Sequence, residues 1–220
     1  KKLMLDAIND VVSDWGVLRN QISAALNLSL TGIPYWNSDI GGFFSANKFP
    51  EGVKDPAFHE LYVRWMQFAT FTGMMRSHGT NTPREIFMFG ERGYWAFDAQ
   101  EKMINLRYRL LPYIYSTSWK ITSEGESLMR ALFSDFPEDK EVLDLGDEYL
   151  FGKSILVAPV TSETRSRSLY LPAGTRWIDF WTGEVQDGGC EITRETPVDI
   201  IPLYVKAGSI IPVGPTVQFA

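Results

Sequence analysis

The stretch Gly32-Ile33-Pro34-Tyr35-Trp36-Asn37-Ser38-Asp39-Ile40-Gly41-Gly42-Phe43-Phe44 decides the fold by the order of its residue types. Residues 30–36 form a short, largely apolar run, the pattern of a strand buried on both faces of a parallel sheet. A carboxylate, Asp39, follows it, then two glycines, then two aromatic rings. In a parallel barrel the functional groups sit on loops after strand C-termini, and Asp39 falls at such a place. Gly41 and Gly42 let the backbone bend sharply or approach a ligand. The same residues also read as a turn in which Asp39 caps a helix.

Working outward, the flanks alternate between helical and strand-like patterns. Upstream, Trp15, Leu18, Ile22, Ala25 and Leu26 recur at helical spacing and predict a helix over 14–27, capped by Ser13 or Asp14. Downstream, residues 56–75 predict a second, aromatic-rich helix. Residues 98–124 predict a long helical stretch that Pro112 kinks or breaks. Residues 127–133 read as another parallel strand and 141–150 as a short helix. From Lys153 the texture changes. Short apolar runs at 155–158, 168–171, 176–180, 198–200 and 209–211 are separated by proline and glycine turns, which predicts an antiparallel sandwich. The pattern therefore reads as α/β plus all-β: a fragment of a (β/α) barrel over 1–150, then a β-sandwich over 151–220. Only two or three βα units fit into the first part, so these residues do not close a barrel by themselves.

Composition narrows the function. The chain has 220 residues, with a net charge of −6 and no basic block, so nucleic acid is not an expected partner. No apolar run approaches the roughly 18 residues of a bilayer span, so no membrane partner is expected. Lys1-Lys2-Leu3-Met4-Leu5 meets Asp6 at once, which is not the pattern of a signal peptide. A soluble protein is expected, with the compartment open between cytoplasm and export. A single cysteine, Cys190, and two histidines, His59 and His78, offer little to a metal site, so no metal and no cofactor is expected. The chain is rich in aromatic rings, most of which belong in a core, although sugar sites also use them. Trp177 and Trp181 share a face of a regular strand and read as core.

The polar candidates are few. Arg76-Ser77-His78-Gly79 follows the aromatic helix, and its side chains are placed to reach substrate hydroxyls by charge-assisted hydrogen bonds. Arg76 and Arg84 also read as braces that pair with acids. In Asn9-Asp10-Val11-Val12-Ser13-Asp14-Trp15 two carboxylates precede a helix. One caps it, and the other is free to project into a cleft as a general acid.

Five motifs in order carry a resemblance. They are residues 32–44, Arg64-Trp65-Met66-Gln67-Phe68, Arg76-Ser77-His78-Gly79, Leu106-Arg107-Tyr108-Arg109-Leu110-Leu111-Pro112-Tyr113-Ile114-Tyr115, and Leu150-Phe151-Gly152 through Leu156-Val157-Ala158-Pro159-Val160. Together they resemble glycoside hydrolase family 31, a family of α-glucosidases and α-xylosidases. The resemblance implies a (β/α)8 catalytic barrel followed by β-sandwich domains, with the C-terminal portion of the (β/α)8 barrel over 1–150 and the antiparallel β-sandwich over 151–220 of this chain. It also implies retaining cleavage of α-glycosidic bonds by two aspartates without a metal. The acid/base matches Asp10, although Ala7-Ile8-Asn9 stands where the family shows Trp, a small residue and Gly. Asp39 and His78 match positions that bind the reacting sugar, with Trp36, Phe43 and Arg76 beside them. The nucleophile belongs to an Asp-x-Asn-Glu sequence that nothing here matches. The implied partners are an oligosaccharide or α-glycoside substrate, and either the remaining half of the barrel or a second copy of the chain. Tyr35-Trp36 resembles the bacterial α-xylosidase branch more than the α-glucosidases.

Overall fold

The computed structural model describes residues 10–80 and 83–217. The lead into Asp10, including Ala7-Ile8-Asn9, lies outside the described residues. Among the described residues four α-helices come first: α1 (Trp15–Leu30), α2 (Pro56–Thr70), α3 (Trp95–Arg109) and α4 (Leu111–Glu124). Asp14 caps α1, its Oδ1 accepting from Gly16 N at 2.7 Å. Asp55 caps α2 in the same way, accepting from Ala57 N at 3.0 Å. There Pro56 supplies a first helical residue that needs no N–H acceptor. The long helical stretch breaks as its proline requires. Leu110 ends α3 and starts α4, and Pro112 falls in the first turn of α4, where a missing N–H does no harm.

The strands are β1 (Met129–Arg130), β2 (Tyr149–Phe151), β3 (Ile155–Val157), β4 (Ser166–Leu171), β5 (Arg176–Asp179), β6 (Val185–Asp187), β7 (Cys190–Glu195) and β8 (Leu203–Lys206). One antiparallel sheet runs β1-β2-β3-β8-β5-β6, and a second pairs β4 with β7. The period of two sorts the side chains between faces. Tyr149, Phe151, Ile155, Val157 and Leu203 point at the helices and join their core. Leu150, Leu156 and Tyr204 point the other way and meet Leu169 and Leu171 of β4. The antiparallel sandwich expected from the proline- and glycine-spaced runs is present. Trp177 fills its core, while the half-buried Trp181 lies past the end of β5 and packs on the helix-side cluster.

Several local expectations are corrected. Residues 30–36 do not form a regular strand: Leu30 ends α1, and among the described residues parallel pairing is confined to bridges between Asp39 and Arg76 and between Val12 and Phe44. Residues 127–133 hold β1, which is antiparallel to β2, followed by a 3-10 turn at Leu132–Ser134. Residues 141–150 are not a helix but a 3-10 turn at Lys140–Val142 and the start of β2. Residues 198–200 turn between Pro197 and Pro202, and 209–211 form no strand. The carbonyls of Val198 and Ile200 are taken by Gln67 and Arg64 of α2 rather than by a neighbouring strand.

Helices and sheets share one core. α2 is buried nearly all round, as a helix enclosed by protein must be. Fully buried Arg64 donates to Thr196 O at 2.7 Å and Ile200 O at 2.8 Å, tying α2 to the loop between β7 and β8. Tyr149 Oη donates to Phe71 O, and Ser29 Oγ to Met129 O.

Candidate active site

Three chain segments converge beyond the N-termini of the helices. Ser13 N donates to Phe44 O, and Phe44 N donates to Val11 O, each at 3.0 Å. Ile40 N donates to Arg76 O at 3.1 Å, and Thr80 N to Phe43 O at 3.1 Å. The segment holding Asp39 and Phe43 is therefore bonded on one side to the residues after Asp10 and on the other to those flanking His78. Parallel alignment puts the chemistry-bearing ends of all three together.

Asp39 is fully buried. Its Oδ1 accepts from Arg76 Nε at 3.0 Å and Nη2 at 2.5 Å. Its Oδ2 is buried with no hydrogen-bond partner among the described residues. A buried carboxylate oxygen left unpaired costs free energy unless something donates to it. The Asp39–Arg76 pair bears out Arg76 as a brace to an acid, and it removes the reading of Asp39 as a helix cap. Trp36 is buried, and its indole Nε1 also has no partner among the described residues. The exposed His78 ring packs on Phe43 with centroids 5.3 Å apart. His78 also lines a cavity of about 330 Å³ with Ser77, Gly79, Pro83, Arg84 and Glu85.

The glycine pair is a requirement of close packing. Gly42 has φ +80°, and a Cβ there would lie 2.8 Å from the backbone of Val12 and Ser13. Gly41 has φ +81°, and its Cβ would lie 2.6 Å from the Tyr62 ring. No L side chain fits either place, so the loop crosses Val12 and α2 only as glycine. Ser13 Oγ donates to Gly41 O at 2.5 Å, which occupies the other cap candidate.

The two upstream carboxylates separate. Asp14 caps α1 and pairs with Lys48 at 2.6 Å, whose hydrogen bond holds the carboxyl below its usual range. Asp10 is exposed and precedes Val11 at the convergence. Arg84, read from sequence as a partner of acids, instead braces the loop through carbonyl oxygens. Burial lowers the Arg84 pKa, and the nearby Tyr62 and Asp39 offset part of that effect. Tyr62 itself was not a sequence candidate. Its hydroxyl bonds Ser77 Oγ at 2.8 Å, and burial pushes its pKa up to about 12. Arg107 was also missed: it donates to the carbonyls of Thr70, Thr72 and Gly73, fixing the approach to Arg76. The available signal was a charged residue among apolar helix positions, in Leu106-Arg107.

A larger cavity, about 600 Å³, lies at the seam between helices and sandwich, lined by Trp95, Arg165, Glu195, Pro197 and Val198. Its arginine is already paired with Glu60. The convergence of the three segments around Asp39, together with the unpartnered buried polar atoms of Asp39 and Trp36, marks the candidate site, not cavity size.

Residues 8–117 match the description "Glycosyl hydrolases family 31 TIM-barrel domain", and residues 125–211 match "Glycosyl hydrolase family 31 C-terminal domain". The chain is 46% identical over 204 residues to an alpha-xylosidase of Saccharolobus solfataricus, covering 92% of this chain and 27% of that protein. It is 33% identical over 208 residues to alpha-glucosidase 2 of Bacillus thermoamyloliquefaciens, covering 92% and 24%. The crystal structure of a family 31 alpha-xylosidase from Xanthomonas citri superposes with a TM-score of 0.90 at 41% identity, covering 96% of this chain and 23% of that one. The chain thus spans about a quarter of the length of these relatives.

Proposed function

The chain belongs to glycoside hydrolase family 31, with part of the TIM-barrel domain followed by the C-terminal domain, and from that premise we propose that it is part of a retaining α-xylosidase. The substrate is a terminal α-linked sugar on an oligosaccharide or other α-glycoside. Asp39, His78, Trp36, Phe43 and Arg76 contact or frame the reacting sugar. Asp10 protonates the leaving oxygen as general acid and then, as base, activates the water that releases the sugar. The nucleophile is an aspartate outside the motifs matched here, about 5–5.5 Å from the acid/base as retention requires.

The observation that carries this reading is the split use of Asp39. One carboxylate oxygen is fixed by Arg76 and the other is buried without a partner, a donor-seeking group of the kind that binds a sugar hydroxyl. The 46% identity to a protein named alpha-xylosidase supports the xyloside reading over the glucoside one. The family 31 barrel also requires more βα units than the described segments supply, so we further propose that the remaining barrel, or a second copy, covers the apolar faces left open here.

Assays of the full-length protein and of this chain on aryl α-xylosides and aryl α-glucosides test the proposal. The full-length protein should cleave the xyloside faster, and Asp10→Asn should depress turnover by several orders of magnitude without unfolding it. The isolated chain, without a nucleophile, should show no turnover. Preference for the glucoside would convert the assignment to α-glucosidase. Inactivity of the full-length protein on both would leave a sugar-binding role.

A further inference from the structure

We infer that Arg84 is a positioning residue that locks the Asp39 loop and the His78 segment into a single register, so that the two sugar contacts move as one unit. Arg84 is 6% exposed, and its guanidinium sits between the two segments. Nη1 donates to Ile40 O at 2.8 Å, to Gly42 O at 2.5 Å and to His78 O at 2.9 Å. Nη2 donates to Phe43 O at 3.2 Å. The acceptors are backbone carbonyls on both sides of the site, including that of His78 itself. A planar fork of fixed donors can hold several carbonyls at once, which a lysine ammonium on a flexible stem cannot do with the same geometry.

The surroundings are built to admit this side chain. A Cβ at Gly79 would lie 2.1 Å from Arg84 Nη2, so the residue after His78 must be glycine for the guanidinium to pass. The guanidinium carbon lies 5.7 Å from the Phe58 ring of α2. Tyr62 Oη donates to Arg84 O at 3.3 Å and also bonds Ser77 Oγ, fixing the arginine's backbone to the same segment. Arg84 reaches neither Asp39 nor His78 through their side chains. It acts through the backbone that aims them, and leaves the Asp39 Oδ2 unengaged.

The kinetic consequence rests on the proposed glycosidase activity; the structural consequence does not, so the test has two arms in the full-length protein. Arg84→Lys and Arg84→Met are compared with Arg64→Met, which removes another buried arginine that clamps carbonyls at the helix–sandwich seam. All three should lose thermal stability. Only the Arg84 variants should raise KM and lower kcat together, by about 10²-fold in kcat/KM, because a small misplacement of contact groups costs that much. A purely structural defect lowers the folded fraction and so the apparent kcat, with KM unchanged. In the second arm, hydrogen exchange is followed at the amides of Ile40, Phe44 and Thr80, all bonded across the converging segments. These should lose protection in the Arg84 variants and keep it in Arg64→Met. Unchanged KM together with unchanged protection in both Arg84 variants would overturn the inference. An inactive wild type would sink the proposed function, and exchange alone would then decide the role of Arg84.

Discussion

Asp39 shows how a single residue can be both anchored and available. Its anchored oxygen lies against Arg76, which is 44% exposed, and its free oxygen is buried. Asp39→Asn should therefore fold but bind sugar poorly. Losing one charged hydrogen bond should cost roughly 1.5–3 kcal/mol, about 10- to 100-fold in kcat/KM, measured on an aryl α-xyloside with the full-length enzyme. Glu148 makes a separate residue-scale prediction. Burial pushes its pKa up to about 7 from 4.5, one carboxylate oxygen accepts from Tyr170 N at 3.1 Å, and the other has no hydrogen-bond partner among the described residues. A raised carboxyl pKa means that the folded state binds the proton more tightly than the unfolded one. Glu148 therefore costs nothing below about pH 4.5, and stability falls as pH rises toward 7, then levels off. The loss is on the order of 3 kcal/mol. Denaturant unfolding of wild type and Glu148→Gln between pH 4.5 and 8 should show this loss in the wild type only, and parallel pH curves would refute it.

Among the elements, those whose cause is local were legible. Spacing and caps gave α1 and α2, and Pro112 gave the division of α3 from α4. Because Pro112 sits in the first turn of α4 rather than in a helix interior, Pro112→Ala should change stability by less than about 1 kcal/mol in thermal unfolding. A loss of 3 kcal/mol would mean that the break itself is needed. Elements set by tertiary contacts were not legible. β7 reads Cys190-Glu191-Ile192-Thr193-Arg194-Glu195, almost wholly polar, because it pairs only with β4 and leaves most side chains at the surface. Residues 198–200 look like a strand but lend their carbonyls to α2. β1 and β2 look like parts of a parallel strand and a helix, since two or three apolar residues do not specify the direction of a partner. The site divides in the same way. Asp39 and His78 stand out as polar residues in motif positions, and Arg76 beside Asp39 reads correctly as a brace. The carbonyl clamp of Arg84 and the Tyr62 contact could not be read, because backbone acceptors have no signature in side-chain order.

At the scale of the molecule, one surface does not fit an isolated protein. Leu111, Tyr115 and Trp119 follow one another at i, i+4 and i+8 on α4 and are 45%, 80% and 63% exposed. Tyr108, at the end of α3, is 42% exposed. An apolar stripe of this kind is rare on a monomer and marks a face that another surface covers. The opposite side of α4, with Tyr113, Ile114, Thr117 and Ile121, is already buried in this chain, so the stripe is not a misplaced core face. A barrel helix needs neighbours on its flanks, and here the proposed neighbours are the remaining barrel helices or a second copy. The isolated 220-residue chain should therefore show an apparent mass in light scattering that rises with concentration, whereas the full-length protein should not self-associate through this face. Replacing Tyr115 and Trp119 together by lysine should return the isolated chain to a monomer, with little effect on its thermal unfolding, because neither ring is buried in it. The same pair of substitutions in the full-length protein should destabilise it, because there the rings lie against covering helices. A wild-type chain that remains a cooperatively unfolding monomer at every concentration, together with a full-length double variant of unchanged stability, would show that the stripe is simply solvent-exposed.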